Sequence, residues 1–434
     1  MDNTIRARLE HQLGLALKQQ RRLDEALAHM DVARALAPVA GRAQQLERAL
    51  VLQLLNQIDD AAQVYEDILA TDPLALDVHV LRAEIAYGRK DDVLASYRNA
   101  MERAPRAAAL PVAMGRILLR QNRADEARGA FDKALTLAPD DATALAGLAQ
   151  TLDRLGEADD ARQAYGRLLR IAPDNGDVRE NHCSFLLRNG DVTEAQASAE
   201  AAVRLRPQSQ NGLALLGLTY RARGDARDAW LNDYENHVQI FDLEPPEGYS
   251  DMASFNRDLG AYLDSLHGGA QQYLTQTLRG GTQLFDTLFY NGHPLIDRLL
   301  PRITAAIQTY MARLAPEREH PLLSRRGAGF RYIGSWSSRL SDCGFHVNHI
   351  HGQGWISSCY YVGVPDATED RTAQQGWIKF GEPPEIFGST FAAQRTIQPK
   401  PGRLVLFPSY HWHGTVPFRS AQNRTTIAFD AIPA

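Results

Sequence analysis

The chain has 434 residues, of which 44% are hydrophobic and 23% charged, and its net charge is −5. That length exceeds one core of ordinary size and calls for two or three units, and the balanced composition excludes wholesale disorder and a collagen-like fibre. A mildly acidic chain has no electrostatic reason to seek nucleic acid or an anionic membrane as its main partner.

No window approaches the run of roughly 18 apolar residues that spans a membrane. The start, MDNTIRARLEHQLGLALKQQ, interleaves charged with apolar residues and lacks the apolar core of a signal peptide, so a cytoplasmic location is expected. Cys183, Cys343 and Cys359 are odd in number and scattered, which fits a reducing compartment and excludes a disulfide framework.

In the first half, prolines recur in matching contexts at Pro38, Pro73, Pro105, Pro139, Pro173 and Pro207, separated by 35, 32, 34, 34 and 34 residues. Twelve residues before five of them stand Ala26, Ala61, Ala127, Ala161 and Ala195, with Val93 in the third unit. Gly14, Ala49, Gly115, Ala149 and Cys183 recur earlier in their units, and Gly217 and Ala229 continue the register. A period near 34 closed by proline resembles the tetratricopeptide repeat, a helical hairpin that needs small residues where its helices approach. The resemblance implies an all-α solenoid of about seven repeats over residues 1–240, with a groove for a protein or peptide partner; a purely structural role is the alternative. Pro245, Pro246 and Gly248 mark a linker at 241–252.

From Asp251 to about Arg318, FNRDLGAYLDSL, QQYLTQTL and LIDRLLPRITAAIQTYMARL place apolar residues three and four apart and predict helices. Beyond Arg326 the period changes. RYIGSWSSRL, WISSCYYVGV, GWIKFGE, GRLVLF and RTTIAFDAI read as short strands, and several such strands with long connections suggest an antiparallel barrel or jelly roll. The expected fold class is multidomain α + β.

Five of the 13 histidines fall in the nine positions 346–351 and 411–413. Imidazole is a common neutral metal ligand, and His349 and His351, two apart on a strand, project from one face; His346, three residues earlier, faces away on a regular strand. In RTTIAFD, Arg424, Thr426, Ala428 and Asp430 share one face while Thr425, Ile427 and Phe429 share the other.

The segments GSWSSRL, GFHVNHIHGQGWISSCYYV, GWIKFGEPP, PKPGRLVLFPSYHWHGTVPF and RTTIAFD resemble the iron(II) and 2-oxoglutarate dependent dioxygenases, and most of all bacterial tetratricopeptide proteins ending in an oxygenase domain of that superfamily. The resemblance implies a double-stranded β-helix (jelly roll) with supporting helices over residues 253–434, an Fe(II) cofactor, and 2-oxoglutarate and O2 as cosubstrates. It implies metal ligands His349, His351 and His413, the last because the distal ligand lies directly before Gly414-Thr415-Val416, with His411 the nearest competitor. Arg424 is implied as the anchor of the far carboxylate of 2-oxoglutarate, with Thr426 adding a donor. The sequence departs from the superfamily at His349-Ile350-His351, where His-x-Asp or His-x-Glu is usual; His351 either replaces that carboxylate or lies outside the ligand set. His346, His411, Trp355 and Tyr361 are candidates for contacting the ligands or the substrate, and Trp336 for walling the pocket. The loops 365–376 and 387–398 are long enough to act as lids. The expected activity is dioxygenation that hydroxylates a protein or peptide recruited by the repeats. The alternatives are a small-molecule hydroxylase of the same class and a non-catalytic scaffold with a relic metal-binding β-domain.

Overall fold

The computed structural model describes residues 2–20, 22–37, 41–268, 277–284, 288–388 and 390–434. These form two compact units, one up to Ile171 and the other from Ala172 to Ala434 save the short segment Tyr290–Gly292. Among the described residues no helix is long and apolar enough to cross a membrane.

The first unit is helical: α1 (Asn3–Gln19), α2 (Leu23–Leu36), α3 (Arg42–Leu54), α4 (Ile58–Thr71), α5 (Leu76–Arg89), α6 (Ala95–Arg103), α7 (Ala109–Arg120), α8 (Ala124–Leu137), α9 (Ala142–Arg154) and α10 (Ala158–Ile171). Pro73, Pro105, Pro139 and Pro173 each stand two residues beyond a helix end, because proline cannot continue the helix and pushes its predecessor out of helical conformation. Pro38 lies outside the described residues. The alanines of the repeat sit where helices approach: Ala26, Ala61, Ala127 and Ala161 are fully buried. Val93 occupies that place in the third unit, and the helix that follows it, α6, has 9 residues where α4, α8 and α10 have 14.

The second unit continues the helical pattern with α11 (Gly176–Arg188), α12 (Val192–Leu205), α13 (Gln210–Arg223), α14 (Arg227–Leu231) and α15 (Tyr234–His237). It then adds β1 (Gln239–Asp242), α16 (Met252–His267), β2 (Leu278–Gln283), α17 (Pro294–Arg313), β3 (Phe330–His346), β4 (Ile356–Gly363), β5 (Ile378–Phe380), β6 (Arg395–Ile397), β7 (Arg403–Pro408), β8 (His413–Thr415) and β9 (Arg424–Pro433). The strands form two antiparallel sheets, ordered β1-β7-β4-β9-β3-β2 and β6-β5-β8.

Strand parity explains how these sheets are held. Tyr361 and Cys359 of β4 and Val405 and Phe407 of β7 join Ile378 and Phe380 of β5 and Ile397 of β6 in one buried cluster shared by both sheets. The alternate residue Tyr360 points the other way, donating its hydroxyl to Asn256 of α16 at 2.7 Å. With both faces covered, β4 is buried along almost its whole length, its two serines included.

Three local expectations are corrected. Of QQYLTQTL only Thr277 and Leu278 are described, and Leu278 opens strand β2 rather than continuing a helix. The departure from the repeat after His237 is not all linker, since Gln239–Asp242 pairs with Arg403–Leu406 as an edge strand. His349 and His351 do not lie on a continuous strand: β3 ends at His346, and His349 makes only an isolated bridge with His413.

Candidate metal centre

His349 and His413 are locked together through their backbones, each N–H donating to the other's carbonyl at 2.8 and 3.0 Å. The His351 N–H donates to the Ser409 carbonyl at 3.0 Å. These bonds replace the strand that parity assumed and bring the three rings together, with one ligating atom from each lying within 4.8 Å of the others. Gly414, which follows His413, permits this approach: a Cβ there would meet Asn348 Oδ1 at 2.2 Å.

Each ring nitrogen Nδ1 faces an oxygen. His349 Nδ1 donates to the Val347 carbonyl at 2.8 Å, His413 Nδ1 to the His411 carbonyl at 3.0 Å, and His351 Nδ1 to Asp430 Oδ1 at 2.6 Å. With the protons held on Nδ1, the three Nε2 lone pairs are free to converge. His349 Nε2 and His351 Nε2 stand 3.2 Å apart. Two imidazole nitrogens about 2.1 Å from one ion and at right angles to each other are about 3 Å apart, so this spacing suits a shared cation. Burial pushes His349 down to about 3 and holds His413 well below the usual imidazole range, and in each case a neighbouring triad histidine adds to the effect. Both are therefore neutral and ready to ligate at pH 7. The donor set fits a divalent metal such as Fe(II) held on one face by three nitrogens.

Arg424 lies in the interior, 1% exposed. Its Nε donates to the Gly376 carbonyl at 3.0 Å and its guanidinium carbon sits 5.0 Å from the centre of the Tyr361 ring. No carboxylate pairs with it among the described residues. The Tyr361 hydroxyl beside it is buried without a hydrogen-bond partner, and Thr426, directly opposite Tyr361 in the β4–β9 register, is 2% exposed. A buried cation with no carboxylate partner among the described residues and an unpartnered hydroxyl at its side has the chemistry to receive an anion.

The remaining candidates separate. His346 does not face away: it lines an open groove of about 960 Å³ together with His349, and its Nδ1 lies 3.3 Å from the Thr415 hydroxyl. Asn348, Lys379, Glu382, Phe391 and Trp412 also border this groove, with Asn211 contributed by α13. Ser389, in the second of the two long loops, lies outside the described residues. His411 turns from the triad into a buried aromatic setting, its ring 4.7 Å from Tyr234 and 5.0 Å from Tyr410, and only its carbonyl serves the centre. Trp355 is 1% exposed and gives its indole N–H to the Leu322 carbonyl, so it packs the interior and does not border the groove. Trp336 approaches His351 with ring centres 5.5 Å apart. Sequence reasoning placed Asp430 on the polar face of its strand but did not find its contact with His351, which joins residues 79 apart.

A family model described as "Putative 2OG-Fe(II) oxygenase" matches residues 334–430, and one described as tetratricopeptide repeat matches 112–176 and 186–235. No curated protein matches the chain. Solved structures similar to it include a tetratricopeptide repeat protein from Parabacteroides merdae (16% identity, 60% of this chain and 98% of that one, TM-score 0.40) and the type IV pilus biogenesis factor PilW (23% identity, 44% and 90%, TM-score 0.35). Yeast Tom70 is a third (18% identity, 48% and 45%, TM-score 0.39). The triad, Asp430 and Arg424 all fall within the oxygenase match, and the chain thus carries tetratricopeptide repeats followed by a domain of the 2OG-Fe(II) oxygenase family.

Proposed function

We propose that the protein is an Fe(II)- and 2-oxoglutarate-dependent dioxygenase that hydroxylates a protein or peptide recruited through its repeats, with a double-stranded β-helix as its catalytic domain. The observation that carries this reading is Arg424, a buried cation lacking a carboxylate partner in the same domain as three convergent imidazoles. The two antiparallel sheets sharing one core support the β-helix.

His349, His351 and His413 would hold the ferrous ion on one face. When bound, the ion and 2-oxoglutarate supply the oxidising power, dioxygen giving one atom to a substrate C–H bond and the other to the oxoacid, which leaves as succinate and CO2. Arg424 would fix the far carboxylate through its guanidinium, while Tyr361 and Thr426 offer hydroxyls alongside. The groove past His346 and His349 gives substrate an approach, and its border on α13 ties that approach to the last repeat helices. A small-molecule substrate in the same groove is the alternative within the class.

Anaerobic addition of Fe(II) and then 2-oxoglutarate should produce a weak visible charge-transfer band that His413→Ala abolishes. Admission of O2 should then release succinate. Absence of both the band and O2-dependent succinate would rule the dioxygenase out and favour a scaffold whose β-domain merely binds metal, a reading that the lack of a carboxylate among the three converging ligands would suit.

A further inference from the structure

Asp430 is a carboxylate in direct contact with the triad, yet it is turned to the back of His351. Its Oδ1 accepts from His351 Nδ1 at 2.6 Å and from Ser357 Oγ at 2.6 Å, and Ser357 Oγ lies 2.8 Å from Ser409 Oγ. Ser357 and Ser409 are fully buried and Asp430 is 8% exposed. The parts come from well-ordered scaffold: Ser357 of β4 is directly opposite Asp430 of β9, and Ser409, just beyond β7, also receives the His351 backbone N–H through its carbonyl. His351 lies outside any strand, so backbone regularity does not fix its ring. The Asp430 side chain does.

We propose, resting on the metal reading above, that Asp430 is a positioning residue for the metal: it holds the proton on His351 Nδ1 so that Nε2 faces the ion, and it supplies behind the ligand the negative charge that the three-imidazole set lacks. Two effects follow, one of orientation and one of charge. Asparagine keeps an acceptor oxygen for both the imidazole and the serine but removes the charge; alanine removes both. A hydrogen-bonded carboxylate behind a ligating imidazole raises its basicity, and losing such a partner costs about 10- to 100-fold in metal affinity.

The test uses the full chain without added iron. Co(II) titration followed by absorbance gives affinity, and Cu(II) electron paramagnetic resonance counts coordinated imidazoles. Wild type should show three imidazoles. Asp430→Asn should keep three with affinity lowered about 10- to 100-fold, and Asp430→Ala should fall to two, matching His351→Ala. If Asp430→Ala fails to fold by circular dichroism, Asp430→Asn and Ser357→Ala decide the matter, the latter expected to weaken Co(II) less than Asp430→Asn does. Asp430 variants that bind Co(II) like wild type would overturn the inference while leaving the metal centre standing. So would a wild-type spectrum with only two imidazoles. A wild-type protein that takes up no divalent metal would instead overturn the proposed function beneath it.

Discussion

At the scale of single residues, the anchoring role proposed for Arg424 carries a cost in stability. A guanidinium with 1% exposure and no anionic partner among the described residues is unfavourable in the ligand-free protein, because its charge is desolvated without compensation. Arg424→Met keeps much of the volume and removes the charge. The variant should therefore unfold at higher denaturant in the absence of ligand, by about 1–3 kcal/mol, although the bond to the Gly376 carbonyl is lost. It should also lose most 2-oxoglutarate affinity, on the order of 30- to 5000-fold, as expected when a buried charge pair worth about 2–5 kcal/mol is removed. Tyr361→Phe offers a milder contrast: its buried hydroxyl has no partner in the free protein, so removing it should hold or slightly raise stability while oxoacid affinity falls about tenfold or more, the worth of a hydrogen bond to a charged group. Isothermal titration with 2-oxoglutarate and Mn(II), alongside urea unfolding, measures both quantities. An Arg424→Met protein that is less stable and binds oxoacid normally would mean that the guanidinium has a purely structural task.

At the scale of elements, the helical hairpins depend on where glycine is used for space and where it is not. Phe131 of α8 is fully buried, and a Cβ on Gly115 of α7 or Gly147 of α9 would meet its ring at 2.7 or 2.2 Å. Gly129 of α8 has nothing within 4 Å of such a Cβ. Alanine at Gly129 or Gly147 gains up to about 1 kcal/mol of helix propensity, but at Gly147 it collides with a fully buried ring, at a cost of about 1–3 kcal/mol. Gly147→Ala should thus destabilise the first unit and Gly129→Ala should stabilise it by about 0.5–1 kcal/mol, both read from the thermal transition of the full chain; a stabilising Gly147→Ala would show that Phe131 can yield. The small residue at Gly115 was legible in the sequence because the repeat restates a small residue there every 34 residues or so, whereas Gly147 has no glycine 34 residues to either side. Strand parity in RTTIAFD was equally legible: Arg424 and Thr426 sit with Tyr361 on the inner face, and Asp430 on the same face meets His351. Parity misled from His346 onward, since the strand it presumes ends at that residue, and His346 and His349 both border the groove. The β1 pairing with β7 and the bond from Asp430 to His351 join segments distant in sequence, and no local pattern encodes them.

At the scale of the whole molecule, pH acts through buried histidines outside the candidate metal-binding triad. His237 and His267 are 6% and 2% exposed, and burial pushes each down to about 4. Both lie below the unfolded value of about 6.5, so between these limits the unfolded chain takes up more protons and stability is lost as pH falls. Urea midpoints should accordingly be level above pH 7 and decline from about pH 6.5 towards pH 4, with each histidine contributing on the order of 1–3 kcal/mol at the acid end. His267 bonds Thr282 and Ser337 through its two ring nitrogens, and His267→Gln should flatten part of the slope. Midpoints that stay level down to pH 4.5 would contradict the assignment.

The division into units makes a stronger demand. By element type the chain changes at its linker, but by packing the second unit begins at Ala172 and takes α11–α13 with the sheets. Arg221 of α13 donates to the carbonyls of Gly381 and Ala392 at 2.6 Å each, the Tyr410 hydroxyl donates to the Leu231 carbonyl at 2.7 Å, and Arg395 donates to the Val238 carbonyl at 2.8 Å. Tyr410 is one residue from His411, whose carbonyl orients His413. A fragment beginning at residue 253 would lose β1, strand partner to β7, and leave the Tyr410 hydroxyl without its acceptor, at about 1–3 kcal/mol for each buried polar group so stranded. Against a typical total of 5–15 kcal/mol, several such losses suffice to unfold a domain. Residues 172–434 should therefore melt cooperatively and bind Co(II) with the affinity of the full chain, whereas residues 253–434 should show neither property. If the shorter fragment folds and binds metal normally, the last repeat helices are dispensable to the centre, and Asn211 at the edge of the groove is a neighbour rather than a part of the site.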